Sequence, residues 1–372
     1  MHVQWLRCTH FRNYDTLEIL FHPRMNLFLG NNAQGKTNIL EALYCLSTTR
    51  SFRMVSEDEL IQFDQTAMRL EAQLMDDHGS ERVALEFKKG FGKTLYFEEK
   101  KQKRLSLILG KIPMVIFSPD DLYLVKGGPG LRRKYLDAVL WQRDLSYLAD
   151  LQQYERVLKQ RNALLKKKET FLEKEWQVWN RTLSQAGSRV IQRRQEVVQH
   201  LERIAEHALS ELTGNQEQLT LRYLASISWN GSIDQTQQLF LEKLTQAQKE
   251  ERMRQITLVG PHRDDVELIL NGKSIKHFGS QGQQRTVALA LKLAQLTLLG
   301  EQRSHPLVLF DDVMAELDEQ RQAFFLAHLQ KQGQTFLTGT SKQDFKKFLG
   351  DARVFKVDAG RVALENEGSN KN

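Results

Sequence analysis

The sequence predicts an α/β fold in which a nucleotide-binding head is assembled from both ends of the chain, with a mostly helical second lobe inserted between them. Three observations predict it. Gly30 to Thr37 read GNNAQGKT directly after the apolar run MNLFL, Leu307 to Asp312 read LVLFDD close to the other end, and the text between them turns into long, charged, helix-favouring segments. A phosphate-binding loop and the acidic strand end that serves it therefore stand at opposite ends of the chain.

The 372 residues, 41% hydrophobic and 27% charged, suffice for two domains and a sizeable core. No run of about 18 apolar residues is available to span a bilayer, and the first residues, MHVQWLRCTHFRNY, lack a charged start followed by an apolar stretch. The expectation is a soluble, cytoplasmic protein with no membrane partner. Cys8 and Cys45 are too few for a disulfide framework or a structural zinc site and are expected as buried free thiols. A net charge of +7, from 53 Lys and Arg against 46 Asp and Glu, permits a polyanionic partner without requiring one.

Up to about residue 125, VQWLR, DTLEILF, MNLFL, MRLEAQLM, ERVALEF and KTLYFE alternate or run apolar between turn residues, the pattern of short strands. From about 129 to 213, apolar residues recur at three and four in segments such as LADLQQYERVLKQRNALL, which reads as antiparallel helices. QLTLRYLASI is a strand candidate, and a helix precedes residue 255. DDVELIL then leads into an Asn271-Gly272 hairpin turn, a helix follows FGSQGQQRT, and PLVLFDD, TFLTGT and ARVFKV return to strands. On this basis 1–125 and 255–372 form the head, and 126–254 the helical lobe.

GNNAQGKT fits G-x-x-x-x-G-K-[ST] between a strand and the helix-like TNILEALYCLS, the context that the motif needs. Backbone N–H groups of Gly30, Asn31, Asn32, Ala33, Gln34 and Gly35 would wrap a phosphate chain at a helix N-terminus. Lys36 would neutralise the terminal phosphates during catalysis, and the Thr37 hydroxyl would ligate Mg²⁺. ATP and Mg²⁺ are the expected ligands. LVLFDD adds four apolar residues and two acids: Asp311 is placed to hold the metal, directly or through water, and Asp312 to polarise the attacking water.

The combination of GNNAQGKT, SQGQQR and LVLFDD, with AELD behind it, resembles the ABC-type ATPases. Within that superfamily, FRNY (Phe11 to Tyr14), SFR (Ser51 to Arg53), FSPDDLYLVKGGP (Phe117 to Pro129), RRKYLD (Arg132 to Asp137), GPHRDD (Gly260 to Asp265), FGSQGQQRT and LFDDVMAELD (Leu309 to Asp318) are similar to the RecF family, in the family's order. The resemblance implies an ABC-type ATPase head that closes around ATP as a head-to-tail homodimer. The signature residues Ser280, Gln281, Gly282, Gln283 and Gln284 of one copy would cap the γ-phosphate on the other's P-loop, with Asp318 reaching across as the D-loop. Arg12 and Asn13 would lie near the nucleotide, and His262 and Arg263 would face the signature. Where many ABC transporters carry a switch histidine, TFLTGTS offers Thr338 or Thr340, so no histidine is given a catalytic role and turnover is expected to be slow. The implied function is ATP-dependent DNA binding in recombinational repair and replication restart: the closed dimer clamps gapped, junction, single- or double-stranded DNA and helps to load recombinase, hydrolysis releases it, and RecR and RecO-like mediators are partners.

Local evidence for DNA contact is a matter of charge. Residues 81 to 104 hold eight basic and four acidic side chains, with Lys88, Lys89 and Lys93 at a hairpin tip among aromatics. Arg50, Arg53, Arg132, Arg133, Lys134 and the run Lys166 to Lys168 are further candidates. No base-reading module is recognisable, which predicts recognition of DNA structure and charge rather than sequence. Two other readings stand beside this one. A transporter ATPase subunit would lack GPHRDD and RRKYLD, and an SMC-type chromosome-organising ATPase would need hundreds of heptad residues where this chain offers about 85 helical ones.

Overall fold

The computed structural model describes residues 1–365 apart from 54, 78, 167–172, 302–304, 315–320, 323, 326–332, 343, 344 and 346–351. Two compact units result, Met1–Pro119 with Leu299–Asn372, and Asp120–Leu298.

The first unit holds two six-stranded sheets. Strands β1 (His2–Phe11), β2 (Tyr14–Leu20), β4 (Ala67–Asp76), β5 (Gly79–Lys88), β6 (Gly92–Phe97) and β7 (Lys100–Lys101) form an antiparallel sheet in the order β2-β1-β4-β5-β6-β7. The other sheet, ordered β15-β14-β3-β13-β12-β8, draws β3 (Met25–Leu29) and β8 (Met114–Phe117) from one end of the chain, and β12 (Leu307–Phe310), β13 (Thr335–Gly339), β14 (Ala352–Asp358) and β15 (Arg361–Leu364) from the other. Its four pairings from β14 through β3, β13 and β12 to β8 are all parallel, and β8, β12 and β13 are buried along their whole length. Continuous apolar runs such as LVLF are what a sheet covered on both faces requires. Helix α1 (Lys36–Thr48) contributes Ile39, Leu40 and Leu43 to one core shared with both sheets. Buried Gln334 ties the sheets together, its side chain accepting from Val3 N at 2.8 Å and donating to Val3 O and His22 O at 2.8 Å each. Cys8 and Cys45 are free and buried, as expected.

The second unit contains α2 (Leu122–Lys126), α3 (Pro129–Arg143), α4 (Leu145–Leu165), α5 (Glu173–Thr213), α6 (Ile233–Arg254), α7 (Ile275–Phe278) and α8 (Gln281–Gly300), with the antiparallel strands β9 (Leu219–Leu224), β10 (Asp265–Leu270) and β11 (Lys273–Ser274). Asn271 and Gly272 make the β10–β11 turn with φ of 49° and 77°, the left-handed pair that a two-residue hairpin demands. This unit is wider than a 126–254 insert. Residues 255–298 pack with the helices because β10 pairs with β9 along its length and because two sequence motifs interlock. Arg132 grips Asp265 with two bonds of 2.7 and 2.9 Å, Arg133 donates to Asp264 O at 2.6 Å, and Asp137 accepts from Arg194 and Tyr147. RRKYLD and GPHRDD are therefore two halves of a polar lock.

His262 and Arg263 correct an expectation here. His262 meets Tyr154 Oη at 2.5 Å and Thr257 O at 3.0 Å, and Arg263 donates to the same Thr257 carbonyl, so both serve the interior of the unit rather than the signature. Burial pushes the His262 pKa down to about 4, so the ring is neutral in the folded state. An unfolded chain takes up this proton near pH 6.5. The stabilisation is thus full above pH 6.5 and is lost as pH falls towards 4, on the order of 3 kcal/mol from this group. Urea unfolding should show a steeper loss of stability between pH 6.5 and 4 in the wild type than in His262→Gln; parallel curves would contradict the assignment.

Candidate functional site

The P-loop joins β3 to α1, and its neighbours force its path. Gly35 has φ of 115°, and a Cβ there would stand 2.7 Å from both Asn13 Nδ2 and Tyr14 Oη. A Cβ on Gly30 would stand 2.1 Å from Val357 O. Only glycine satisfies either position. The loop is held from two sides through Gln34: its carbonyl accepts from Asn13 Nδ2 at 3.1 Å and Gly360 N at 3.2 Å, and its side chain accepts from Ala359 N. Tyr14 Oη donates to Gly35 O at 3.1 Å. No side chain caps α1, whose N-terminus opens into the loop. Lys36 is 3% exposed and donates to Gly30 O at 2.8 Å and Asn31 O at 3.0 Å, so its ammonium lies inside the curve of the loop. The cradle suits a chain of phosphates: glycines where the backbone is crowded, a buried cation, and an uncapped helix N-terminus.

The other wall comes from the far end of the sequence. Thr37 Oγ1 donates to Asp311 Oδ1 at 2.7 Å. Thr338 Oγ1 accepts from Asp312 N at 2.9 Å and lies 3.2 Å from Asp311 Oδ1 and 3.3 Å from Asp312 Oδ1. Of the two threonines offered by TFLTGTS, Thr338 is the buried one that meets both acids, while Thr340 is exposed. Asp312 has φ of 52°, a left-handed conformation costly for a side chain with a Cβ, and its bond to Thr338 helps to hold it. Burial raises the pKa of Asp311, opposed by the hydrogen bond from Thr37. Two hard oxygen donors side by side, one on a buried acid, fit Mg²⁺, which takes few protein ligands and completes its shell with water and phosphate oxygens.

Glu41 was not singled out in the sequence, yet it organises the loops around this cradle. Its carboxylate is fully buried and receives Arg12 through bonds of 2.8 and 2.7 Å, Ser51 Oγ at 2.5 Å, and Arg53 at 3.6 Å. Arg12 also donates to Glu59 O at 2.8 Å. Arg12 therefore braces FRNY and SFR against α1 instead of presenting a free guanidinium to a nucleotide, whereas Asn13 does lie on the P-loop. The signal was a single charge, Glu41, in the apolar stripe of TNILEALYCLS.

The signature lies in the second unit. Ser280 Oγ accepts from Gln283 N at 3.2 Å and Gln283 Oε1 accepts from Ser280 N at 2.9 Å, a reciprocal cap on α8. Gln283 also donates to Glu217 and Gln284 to Ile275 O. Gln281 and Gly282 are exposed. A Cβ on Gly282 would meet nothing closer than Ser280 Oγ at 4.0 Å, so nothing among the described residues requires glycine in the first turn of α8. Asp318 lies outside the described residues.

The basic candidates separate into groups. Lys88, Lys89, Arg50, Lys134 and Lys166 are exposed, while Lys167 and Lys168 lie outside the described residues. Arg53 is partly buried and bonds Asn38 Oδ1 at 3.0 Å. Lys93 is corrected: its side chain is 7% exposed and its ammonium is held by Thr49 O and Glu57. Arg132 is likewise committed to Asp265, Leu124 O and Gly127 O, and partly buried Arg133 to Asp264 O. Among the described residues no helix is long and apolar enough to cross a membrane.

The P-loop, the paired acids and the parallel sheet that joins them define an ATPase head of the RecF/RecN/SMC type, and the model of the RecF/RecN/SMC N-terminal domain matches residues 2–362. The chain is 39% identical over 363 residues to the DNA replication and repair protein RecF of Streptococcus suis, covering 97% of this chain and 99% of that one, and 36% identical to the RecF of Ligilactobacillus salivarius, covering 98% of each. It belongs to the RecF family. A solved structure described as the recombination mediator protein RecF with ATP in the RecFOR pathway superposes with a TM-score of 0.91 at 34% identity, over 98% of both chains. An Smc head bound to the C-terminal winged-helix domain of ScpA has a TM-score of 0.57 at 14% identity, covering 99% of this chain and 98% of that one; this is a likeness of fold alone.

Removing the carboxylate from Glu41 leaves the mostly buried Arg12 guanidinium without its ion-pair partner. Glu41→Ala should lower unfolding free energy by about 3–5 kcal/mol, and the added change Arg12→Met should recover part of that loss. Urea denaturation of both variants measures it, and an unchanged midpoint for Glu41→Ala would contradict the bracing role.

Proposed function

We propose that this protein is an ATP-dependent DNA-binding ATPase of recombinational repair and replication restart, acting in the cytoplasm as a head-to-tail dimer with RecR and RecO-like mediators. The observation that carries the reading is a nearly complete phosphate site in a chain that also carries a signature whose Ser280, Gln281 and Gly282 are exposed. Gly30 to Thr37 would cradle ATP, and Asp311 and Asp312 would flank its γ-phosphate. Open space at Gly282 allows another molecule's phosphate to come close to the α8 N-terminus, and Ser280 can turn its hydroxyl from Gln283 N to that phosphate. The second copy would supply this signature, so that ATP completes the interface and its loss loosens it.

In that dimer Lys36 leaves the loop carbonyls to meet the terminal phosphates, Asp312 accepts a hydrogen bond from the attacking water, and Thr338 keeps the Asp312 backbone and carboxylate in place. Mg²⁺, held by Thr37 and Asp311, would offset the phosphate charge. The exposed cations Arg50, Lys88, Lys89 and Lys134, with Arg53, are the candidates for DNA phosphates. The RecF–ATP relative in the RecFOR pathway supports the ligand and the pathway. Slow, DNA-dependent turnover suits a timing role for hydrolysis.

Two outcomes are expected. Asp312→Asn and Thr338→Val should each lower the ATP hydrolysis rate by about a hundred-fold or more while ATP affinity stays within a few-fold, with Thr338→Ser near wild type. Equal loss of binding and hydrolysis in Thr338→Val would contradict the positioning role. DNA affinity should fall steeply with salt, about as the salt concentration raised to minus the number of phosphates contacted, and a flat response would overturn the phosphate-contact model.

A further inference from the structure

Phe63 and Phe91 are the two most exposed large apolar side chains among the described residues, at 89% and 82%. Each keeps in water a phenyl ring that burial would stabilise. Both project from one end of the antiparallel sheet. Phe91 is at the β5–β6 tip, where Gly90 and Gly92 have φ of 77° and 78° and Phe91 N donates to Lys88 O at 3.0 Å. Phe63 is in the turn before β4, closed by Gln65 N to Gln62 O at 3.1 Å and by the left-handed Asp64. The two turns are bound to each other: Lys89 N donates to Thr66 O at 2.9 Å, one step beyond the register pair Ala67 and Lys88. Adjacent strands stand about 4.8 Å apart, so the rings are carried by neighbouring, hydrogen-bonded turns.

The surroundings indicate what such rings meet. Lys88 Nζ lies 5.0 Å from the Phe91 centroid, and Lys89 is exposed beside it. Lys93 holds Thr49 O, which fixes exposed Arg50 next to this end of the sheet. Of the nearby acids, Glu57 is paired with Lys93 and Glu59 is bonded to Ser56, while Asp64 is exposed in the Phe63 turn. Cations beside flat, water-exposed rings suit an anionic polymer with aromatic faces. A protein partner's apolar surface would gain nothing from the lysine placed over Phe91.

We infer that Phe63 and Phe91 form a base-stacking site for unpaired DNA, with Lys88, Lys89 and Arg50 meeting the flanking phosphates. The inference deepens the DNA-binding reading and rests on it: it names the class of DNA. Rings on rigid tips gain from stacking only where a base face is accessible, in a gap, a single strand or the last pair of a duplex, and the interior of a continuous duplex offers none. The site therefore distinguishes a single-strand gap from intact duplex without reading sequence.

The test uses the full chain with ATP, a gapped duplex carrying 2-aminopurine in the gap, and relaxed closed circular duplex. The wild type should bind both and change the 2-aminopurine fluorescence. The double change Phe63→Ala with Phe91→Ala should weaken binding to gapped DNA by about ten- to a hundred-fold and abolish the fluorescence change. It should leave closed-circle affinity, ATP affinity and thermal midpoint unaltered, and Phe63→Tyr with Phe91→Tyr should restore gapped-DNA binding. Unchanged affinity for gapped DNA would overturn the inference and leave the rings to a protein surface; equal losses on both DNAs would overturn it in favour of general backbone contact. A wild type that binds neither DNA would overturn the DNA-binding reading itself.

Discussion

The hydrogen bond from Thr37 to Asp311 joins residues 274 positions apart, and the candidate site depends on it. It exists because β13 lies between β3 and β12 in one parallel sheet, with Leu27 opposite Leu337 and Phe310 opposite Leu337, so that the P-loop and the two acids emerge at the same edge. Parallel pairing is non-local, and the separation here is long. Much of the intervening chain is a compact unit with its own sheet and ion pairs, which reduces the length of flexible chain that closure must restrain. The insert is thus compatible with the head because it packs by itself.

Within the head, polar groups are placed where apolar ones would be cheaper to bury. Glu41 gathers Arg12, Ser51 and Arg53, and Gln34 gathers the FRNY turn and the β14–β15 turn. Both are fully partnered, so the loops around the phosphate cradle are fixed in register as well as in position. Asp312 shows the converse, a strained left-handed backbone held by Thr338 at the end of β12. These features make a rigid half-site. On the proposed reading, a second copy would bring the signature, whose Ser280, Gln281 and Gly282 are exposed at the start of α8.

Much of this was legible in the sequence because the signals were local. GNNAQGKT after MNLFL, the acids after LVLF and the Asn271-Gly272 turn each declare a backbone conformation within a few residues, and all three are found. What escaped reading was long-range pairing. Arg12, Lys93 and Arg132 look alike in sequence, as basic residues available to a nucleotide or to DNA, yet Glu41, Glu57 and Asp265 lie 29, 36 and 133 residues away and claim them. RRKYLD and GPHRDD were legible as motifs but not as each other's partners. The β14–β15 turn against Gln34 gave no sign at all, since a turn's composition does not say what it lies on.

The central claim is that each complete site is built from two chains. It is tested most directly by mixing two inactive variants, Lys36→Ala, which spoils the P-loop, and Ser280→Arg, which spoils the signature. A mixed dimer holds one site with both defects and one with neither, so an equal mixture that pairs at random should regain about a quarter of wild-type ATP hydrolysis. Activity no greater than the sum of the two separate variants would contradict the account.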